Sequence, residues 1–336
     1  MTGGEKGVRV WRVKDRTQVA RMETPRTVFS LAASKNRKLI AAGTSSGMFV
    51  WNAETYEEVI KYGEGDYVRG VDFSPDSTRL VTGMGSHTAI VWDLGTSRQV
   101  QTLLHQNCVI AAKYSPRGDR IATAERYGPV RVWDSNDGRL LVEIEETASP
   151  LYNTGLLWSN DRLFVISHRK IKEFDASTVS KVSEWPVPDT NYDSCIVLPK
   201  HKQFIAFSAA HTITFWDVST HNQHPRTLQH PEDICSIAFS PDDQILAIGG
   251  GGEITIQSLS GINVSATFCR AISSLNNFLA PAFSPSVSPT PYFPRTRHPN
   301  RRRYTRLVEA RSPRKRRSVI DCVDRSVAES EPSRTC

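Results

Sequence analysis

The chain has 336 residues, 39% hydrophobic and 23% charged, enough apolar material for one large core or two small ones. No apolar run approaches the ~18 to 20 residues of a membrane helix, and the opening MTGGEKGVRV lacks the apolar centre of a secretory signal. A wholly disordered or membrane-embedded chain is thereby set aside, and a soluble protein of the cytoplasm, with the nucleus as second location, is expected. The net charge of +7 is unevenly placed: residues 270–336 hold 14 Lys and Arg against 5 Asp and Glu, and residues 1–269 hold 28 against 30.

In chain order, an alternating apolar run ending in Trp-Asp or a relative of it recurs at Trp11-Arg12, Trp51-Asn52, Trp92-Asp93, Trp133-Asp134, Phe174-Asp175, Trp216-Asp217 and Gln257-Ser258, at intervals of 40, 41, 41, 41, 42 and 41. Periods of about 40 to 45 residues with four short strands each predict the blades of a propeller. In the unit ending at Trp92, period-two alternation predicts strands over Val68 to Phe73, Arg79 to Thr82, Thr88 to Trp92 and Gln99 to Leu103. Ser74-Pro75-Asp76 is read as the first hairpin turn, with Pro fixing φ and Asp bonding the backbone two residues on. The turn returns as Ser115-Pro116-Arg117-Gly118 and Ser240-Pro241-Asp242-Asp243.

These residues resemble the WD40-repeat family over about 260 residues, with a flavour similar to fungal WD40 arrays. The resemblance implies an all-β propeller in which Trp51, Trp92, Asp93, Trp133, Asp134, Phe174, Asp175, Trp216 and Asp217 are structural repeat positions. It also implies a hydrogen-bonded tetrad of His, Ser or Thr, Asp and Trp. His105, Thr123 and Trp133 fill three of its places in one unit, the Asp place falling in the Arg126-Tyr127 region, while His230 stands in a unit whose Trp place is Gln257.

Ring closure is the weak point of the pattern. The first unit offers only two strands, Gly7 to Trp11 and Thr17 to Met22, so seven blades, one of them incomplete, are expected over residues 1–285. The missing part would come from Phe278 to Pro285, where Ala282-Phe283-Ser284-Pro285 echoes Ala238-Phe239-Ser240-Pro241. Residues 286–336, rich in Pro, Ser and Arg, are expected to be a disordered basic tail. Nucleic-acid affinity or nuclear import, an inert tail, and the product of a shifted reading frame are three readings of it.

Chemistry-bearing motifs are sparse. There is no GxxxxGK[ST], GxSxG or HExxH, the six cysteines form no CxxC pair, and Gly249 to Gly252 reads as a turn between strands. No enzyme activity, cofactor or metal is expected. The connections leading into each new blade are more telling: they carry Glu64, Asp66, Glu145, Glu146, Asp189, Asp193, Glu232 and Asp233 without a Lys or Arg, and Tyr67 and Tyr192 stand beside the acids. An acidic, aromatic rim of this kind points to a non-catalytic scaffold that binds partner proteins or basic peptide segments, with charge setting the encounter rate. The alternative is an RNA- or ribosome-associated propeller that uses the tail for nucleic-acid affinity. A monomeric propeller inside a larger assembly is expected either way.

Overall fold

The computed structural model describes residues 1–62, 65–144, 155–167, 169–175, 177–178, 180–188, 195–199, 204–250 and 252–259. The chain divides at Arg270, and every described residue belongs to the first unit. Seven antiparallel sheets follow one another as the blades of a β-propeller. Blade 1 holds β1 (Thr2–Gly4), β2 (Gly7–Arg12) and β3 (Thr17–Glu23), and blade 2 holds β4 (Val28–Ala33), β5 (Leu39–Thr44), β6 (Gly47–Asn52) and β7 (Glu58–Tyr62). Blade 3 is β8 (Val68–Phe73), β9 (Arg79–Met84), β10 (Thr88–Asp93) and β11 (Arg98–Leu104), and blade 4 is β12 (Val109–Tyr114), β13 (Arg120–Glu125), β14 (Val130–Asp134) and β15 (Leu140–Ile144). Blade 5 comprises β16 (Leu156–Ser159), β17 (Arg162–Ser167), β18 (Lys170–Asp175) and β19 (Lys181–Pro186). Blade 6 comprises β20 (Cys195–Val197), β21 (Phe204–Ala209), β22 (Thr212–Asp217) and β23 (Gln223–Gln229), and blade 7 comprises β24 (Ile234–Phe239), β25 (Ile245–Gly250) and β26 (Glu253–Ser258).

Each repeat marker from Trp51 onward sits at the end of a third strand, opposite a buried aliphatic residue of the second. Trp51 faces Ile40, Trp92 faces Leu80, Trp133 faces Ile121, Phe174 faces Leu163, Trp216 faces Ile205 and Gln257 faces Leu246. The sheets are sticky on both faces, and the core is accordingly divided into six clusters, each shared by two successive blades. A blade therefore contributes little alone and is stabilised by its neighbours.

The Ser-Pro turns join first and second strands as expected. Ser77, Gly118 and Asp243 donate their amides to the carbonyls of Ser74, Ser115 and Ser240, and all three adopt positive φ, which of these residues only Gly118 takes without strain. The Ser hydroxyls also reach the acid that follows, Ser74 to Asp76 at 2.5 Å and Ser240 to Asp242 at 2.5 Å.

Blade 1 corrects the sequence expectation, because it has three strands rather than two. The extra one, Thr-Gly-Gly of β1, is too short and too poor in apolar residues to alternate. Its place is fixed by the Trp11 indole, which donates to Thr2 Oγ1 at 2.9 Å just as Trp92 donates to Thr82 and Trp133 to Thr123. β1 is thus a second strand, and the strand missing from blade 1 among the described residues is the innermost. The expected closing segment, Phe278 to Pro285, and the tail lie outside the described residues.

Candidate functional site

The Trp-Asp acids are spent on architecture. Asp93 Oδ1 accepts from Thr96 N and Thr96 Oγ1 at 2.7 Å each, Asp175 Oδ1 accepts from Ser177 N and Thr178 N at 2.9 Å, and Asp217 Oδ1 accepts from Ser219 N at 2.9 Å and Thr220 N at 2.7 Å. Asp134 and Asn52 cap their turns in the same way. The Thr96 hydroxyl and the Ser177 hydroxyl hold the Asp93 and Asp175 carboxyls below the usual carboxylate range, so both stay ionised as caps.

Three members of the expected tetrad assemble in blade 4. His105 Nε2 lies 2.8 Å from Thr123 Oγ1, which accepts from Trp133 Nε1 at 2.8 Å. The other ring nitrogen, Nδ1, lies 2.9 Å from the Leu103 carbonyl, which requires the proton there and leaves Nε2 to accept from the hydroxyl. Burial of the ring lowers the His105 pKa to about 4, with the Arg131 charge adding to the effect. In place of the family's Asp, blade 4 buries Glu125 completely against Arg131, which also donates from Nε to Glu143 at 2.6 Å. No sequence motif marks this pair, since Arg and Glu in a polar stretch normally read as solvated.

Among the described residues, the connections entering blades 3, 4 and 7 and the turns between second and third strands share one rim around the channel. This follows from the hydrogen bonds that tie them: Gly85 N to Tyr67 O, His105 N to His87 O, Arg126 N to Cys108 O, and His230 N to His211 O. Of the predicted partner-binding residues, Asp66, Tyr67, Glu232 and Asp233 are described, and all four stand on this rim. Glu64, Glu145, Glu146, Asp189, Tyr192 and Asp193 lie outside the described residues.

Asp66 is half-buried and bound to backbone, its Oδ1 accepting from Tyr67 N at 2.7 Å and its Oδ2 from Ser86 N at 3.3 Å. Glu232 and Asp233 are exposed, and Asp233 Oδ1 approaches His211 Nε2 at 3.4 Å. Tyr67 stands 6.4 Å from Phe29, ring centre to ring centre.

The rim is less uniformly acidic than the entering connections alone imply. The turns between second and third strands contribute Arg126, packed 5.2 Å over the exposed Tyr127 ring, and Arg169. A β-bulge near the start of β8 aims Arg69 over the Phe29 ring at 4.8 Å. Phe29, Arg69, Ile110 and Cys235 occupy the same bulge in β4, β8, β12 and β24. No sequence motif marks these four positions, because the bulge is set by strand pairing and each blade fills it with a different residue type.

At the opposite end of the channel, Leu157, Val197, Leu198, Ala238, Phe239 and Pro241 line a shallow cavity of about 310 Å³. It is mostly apolar, with Ser240 and Asp243 as its polar lining. Among the described residues no group of three or more His, Cys, Asp or Glu is placed to hold a metal ion, and no helix is long and apolar enough to cross a membrane.

The family model for the WD domain, G-beta repeat, matches residues 57–93 and 222–256, which fall in blades 2 to 3 and 6 to 7. The chain is similar to Periodic tryptophan protein 2 of Arabidopsis thaliana, at 32% identity over 126 residues, 36% of this chain and 14% of that protein. Similarity extends to the Serine-threonine kinase receptor-associated protein of Dictyostelium discoideum, at 24% over 206 residues, 60% of this chain and 68% of that protein. Small ribosomal subunit protein RACK1 of Drosophila melanogaster matches at 27% over 135 residues, 38% of this chain and 42% of that protein. The matched part of the chain thus spans well under two thirds of the first and third of these relatives. With the repeat matched in two regions and antiparallel blades recurring around a seven-bladed propeller, the chain carries WD40 repeats.

Proposed function

We propose that the chain is a non-catalytic scaffold whose channel rim captures basic peptide segments of partner proteins, within an assembly in the cytoplasm or nucleus. WD40 propellers generally mediate protein interactions, and the placement of exposed Glu232 and Asp233, with Asp66 and Tyr67, on one rim supports this mode of capture. Charge draws a cationic peptide to the rim, and the aromatic surface of Tyr67 and Phe29 prolongs its stay. Arg126 and Arg169 restrict the cationic footprint to the acidic sectors and repel peptides that would cover the whole ring.

The test is binding of a fluorescent Lys/Arg-rich peptide to the full chain across a range of NaCl. Replacing Asp66, Asp193 and Asp233 together by Lys should weaken binding tenfold or more and remove its salt dependence; unchanged affinity and slope would sink the proposal.

A second reading rests on the basic character of residues 270–336 and on similarity to Small ribosomal subunit protein RACK1. It makes the chain an RNA- or ribosome-associated propeller. In that case RNA affinity should fall steeply with salt, and replacing the arginines at 301–303 and 314 by Gln should abolish it while sparing peptide binding.

A further inference from the structure

We propose that Cys195 and Cys235 form a thiol-disulfide site that cross-links blades 6 and 7 at the channel rim. The two residues lie on neighbouring inner strands, β20 and β24. The Cys195 thiol donates to the Cys235 carbonyl oxygen at 3.2 Å. With about 2.4 Å between a residue's own Cα and carbonyl oxygen, the Cys195 sulfur stands no farther than about 5.6 Å from the Cys235 Cα, within the reach of a disulfide after side-chain rotation.

The architecture explains why the pair meets. Cys195, opposite Ser208, holds the place that Gly70, opposite Gly83, holds in blade 3. There a Cβ would lie 2.9 Å from the Ala111 Cα of the next blade, so this position points directly at the following inner strand. In blade 6 it carries a sulfur. Cys235 is the bulged residue of β24, between Ile234 and Ser236, which turns it off the regular alternation of the strand. At the same bulge Arg69 and Ile110 are buried, whereas Cys235 is exposed and open to reagents. Cys195 is partly buried against the blade 6 to blade 7 core, and thus sheltered as the resolving thiol of such a pair is expected to be.

The co-reactant is hydrogen peroxide. The Cys235 thiolate attacks the O–O bond and takes one oxygen as sulfenic acid, and the departing hydroxide takes up the proton that the thiol lost and leaves as water. The Cys195 thiolate then attacks the Cys235 sulfur, forming the S–S bond and expelling the sulfenic hydroxyl as hydroxide, which takes up the Cys195 proton as the second water. Two thiols are thereby oxidised by two electrons and one peroxide is reduced to two waters.

The test uses the full chain with Cys269, Cys322 and Cys336 replaced by Ser, treated with hydrogen peroxide and mapped by mass spectrometry without reduction. The expected result is a Cys195–Cys235 cross-linked peptide with Cys108 still reduced, and an upward shift of the melting temperature that dithiothreitol reverses. Both should vanish in Cys195→Ser and in Cys235→Ser, which should melt like the parent under reducing conditions. Recovery of Cys235 as sulfinic or sulfonic acid beside an unmodified Cys195, or an equal shift in the Ser variants, would overturn the site.

Discussion

Trp92 and Trp133 are buried at 7% and 6% exposure, and each indole N–H is satisfied by a threonine hydroxyl. Replacing either by Ala removes a large apolar body and strands a buried hydroxyl, so a loss of roughly 3 to 5 kcal/mol is expected in thermal or denaturant unfolding. Melting unchanged from the parent would contradict the blade packing. His105 supplies a pH signature. Its folded-state pKa of about 4 lies below the unfolded value of 6.5, so between those values the unfolded chain binds the extra proton. Stability should hold above pH 6.5 and fall as pH drops towards 4, and His105→Gln should flatten the part of a melting-versus-pH profile that this residue contributes. The tryptophans and the Ser-Pro turns were legible in the sequence because they recur at a fixed interval. The Glu125–Arg131 pair was not, since its burial follows from pairing of β13 with β14 in this blade alone.

Elements are joined across blades by contacts that no single repeat reveals. Arg79 Nη1 donates to Ser135 O at 3.0 Å and Arg120 Nη2 donates to Ser177 O at 3.2 Å, so the first residue of one second strand clasps the turn after the third strand of the next blade. Asp72 Oδ2 accepts from Tyr114 N at 2.9 Å, and Trp158 donates to the Lys113 carbonyl at 3.2 Å. Arg79→Ala is expected to cost about 1 to 2 kcal/mol in denaturant unfolding, in keeping with one charge-assisted hydrogen bond. Gly70 permits the close approach of β8 to β12, where a Cβ would stand 2.8 Å from Ala112 N. Gly70→Ala should therefore destabilise by roughly 1 to 3 kcal/mol as an overpacked contact against backbone; an unchanged midpoint would mean that the inner strands stand farther apart.

The outer strands share a device of their own. Each of the six described outer strands has a register shift against its third strand, and at Val19, Val59, Val100 and Val182 the extra residue is an exposed valine. A bulge twists the free edge away from a flat partner, which discourages pairing between molecules. Strand alternation was readable from the sequence, with bounds correct to one or two residues. The bulges were not, because a single inserted residue leaves no compositional mark.

At the scale of the molecule, six of the seven junctions between blades hold a described apolar cluster, and at the junction of blade 7 with blade 1 the described residues lack the inner strand of blade 1. We expect Phe278 to Pro285 to occupy that place. Hydrogen exchange on the full chain should then show slow amides in this segment, and exchange at the rate of a free peptide would leave the ring to close by other means. The seven-unit period made the propeller legible from sequence alone, whereas the rim's mixed charge was not, because Arg126 and Arg169 join it only through the return of second strands to the same end. The central claim is that this rim holds partner proteins. Its most direct test is affinity capture from cell extract with the full chain and with the Asp66, Asp193 and Asp233 to Lys variant, each before and after nuclease, read by mass spectrometry. The predicted result is a small set of proteins that survives nuclease and is lost with the variant; the same proteins on both chains, or their loss to nuclease, would contradict it.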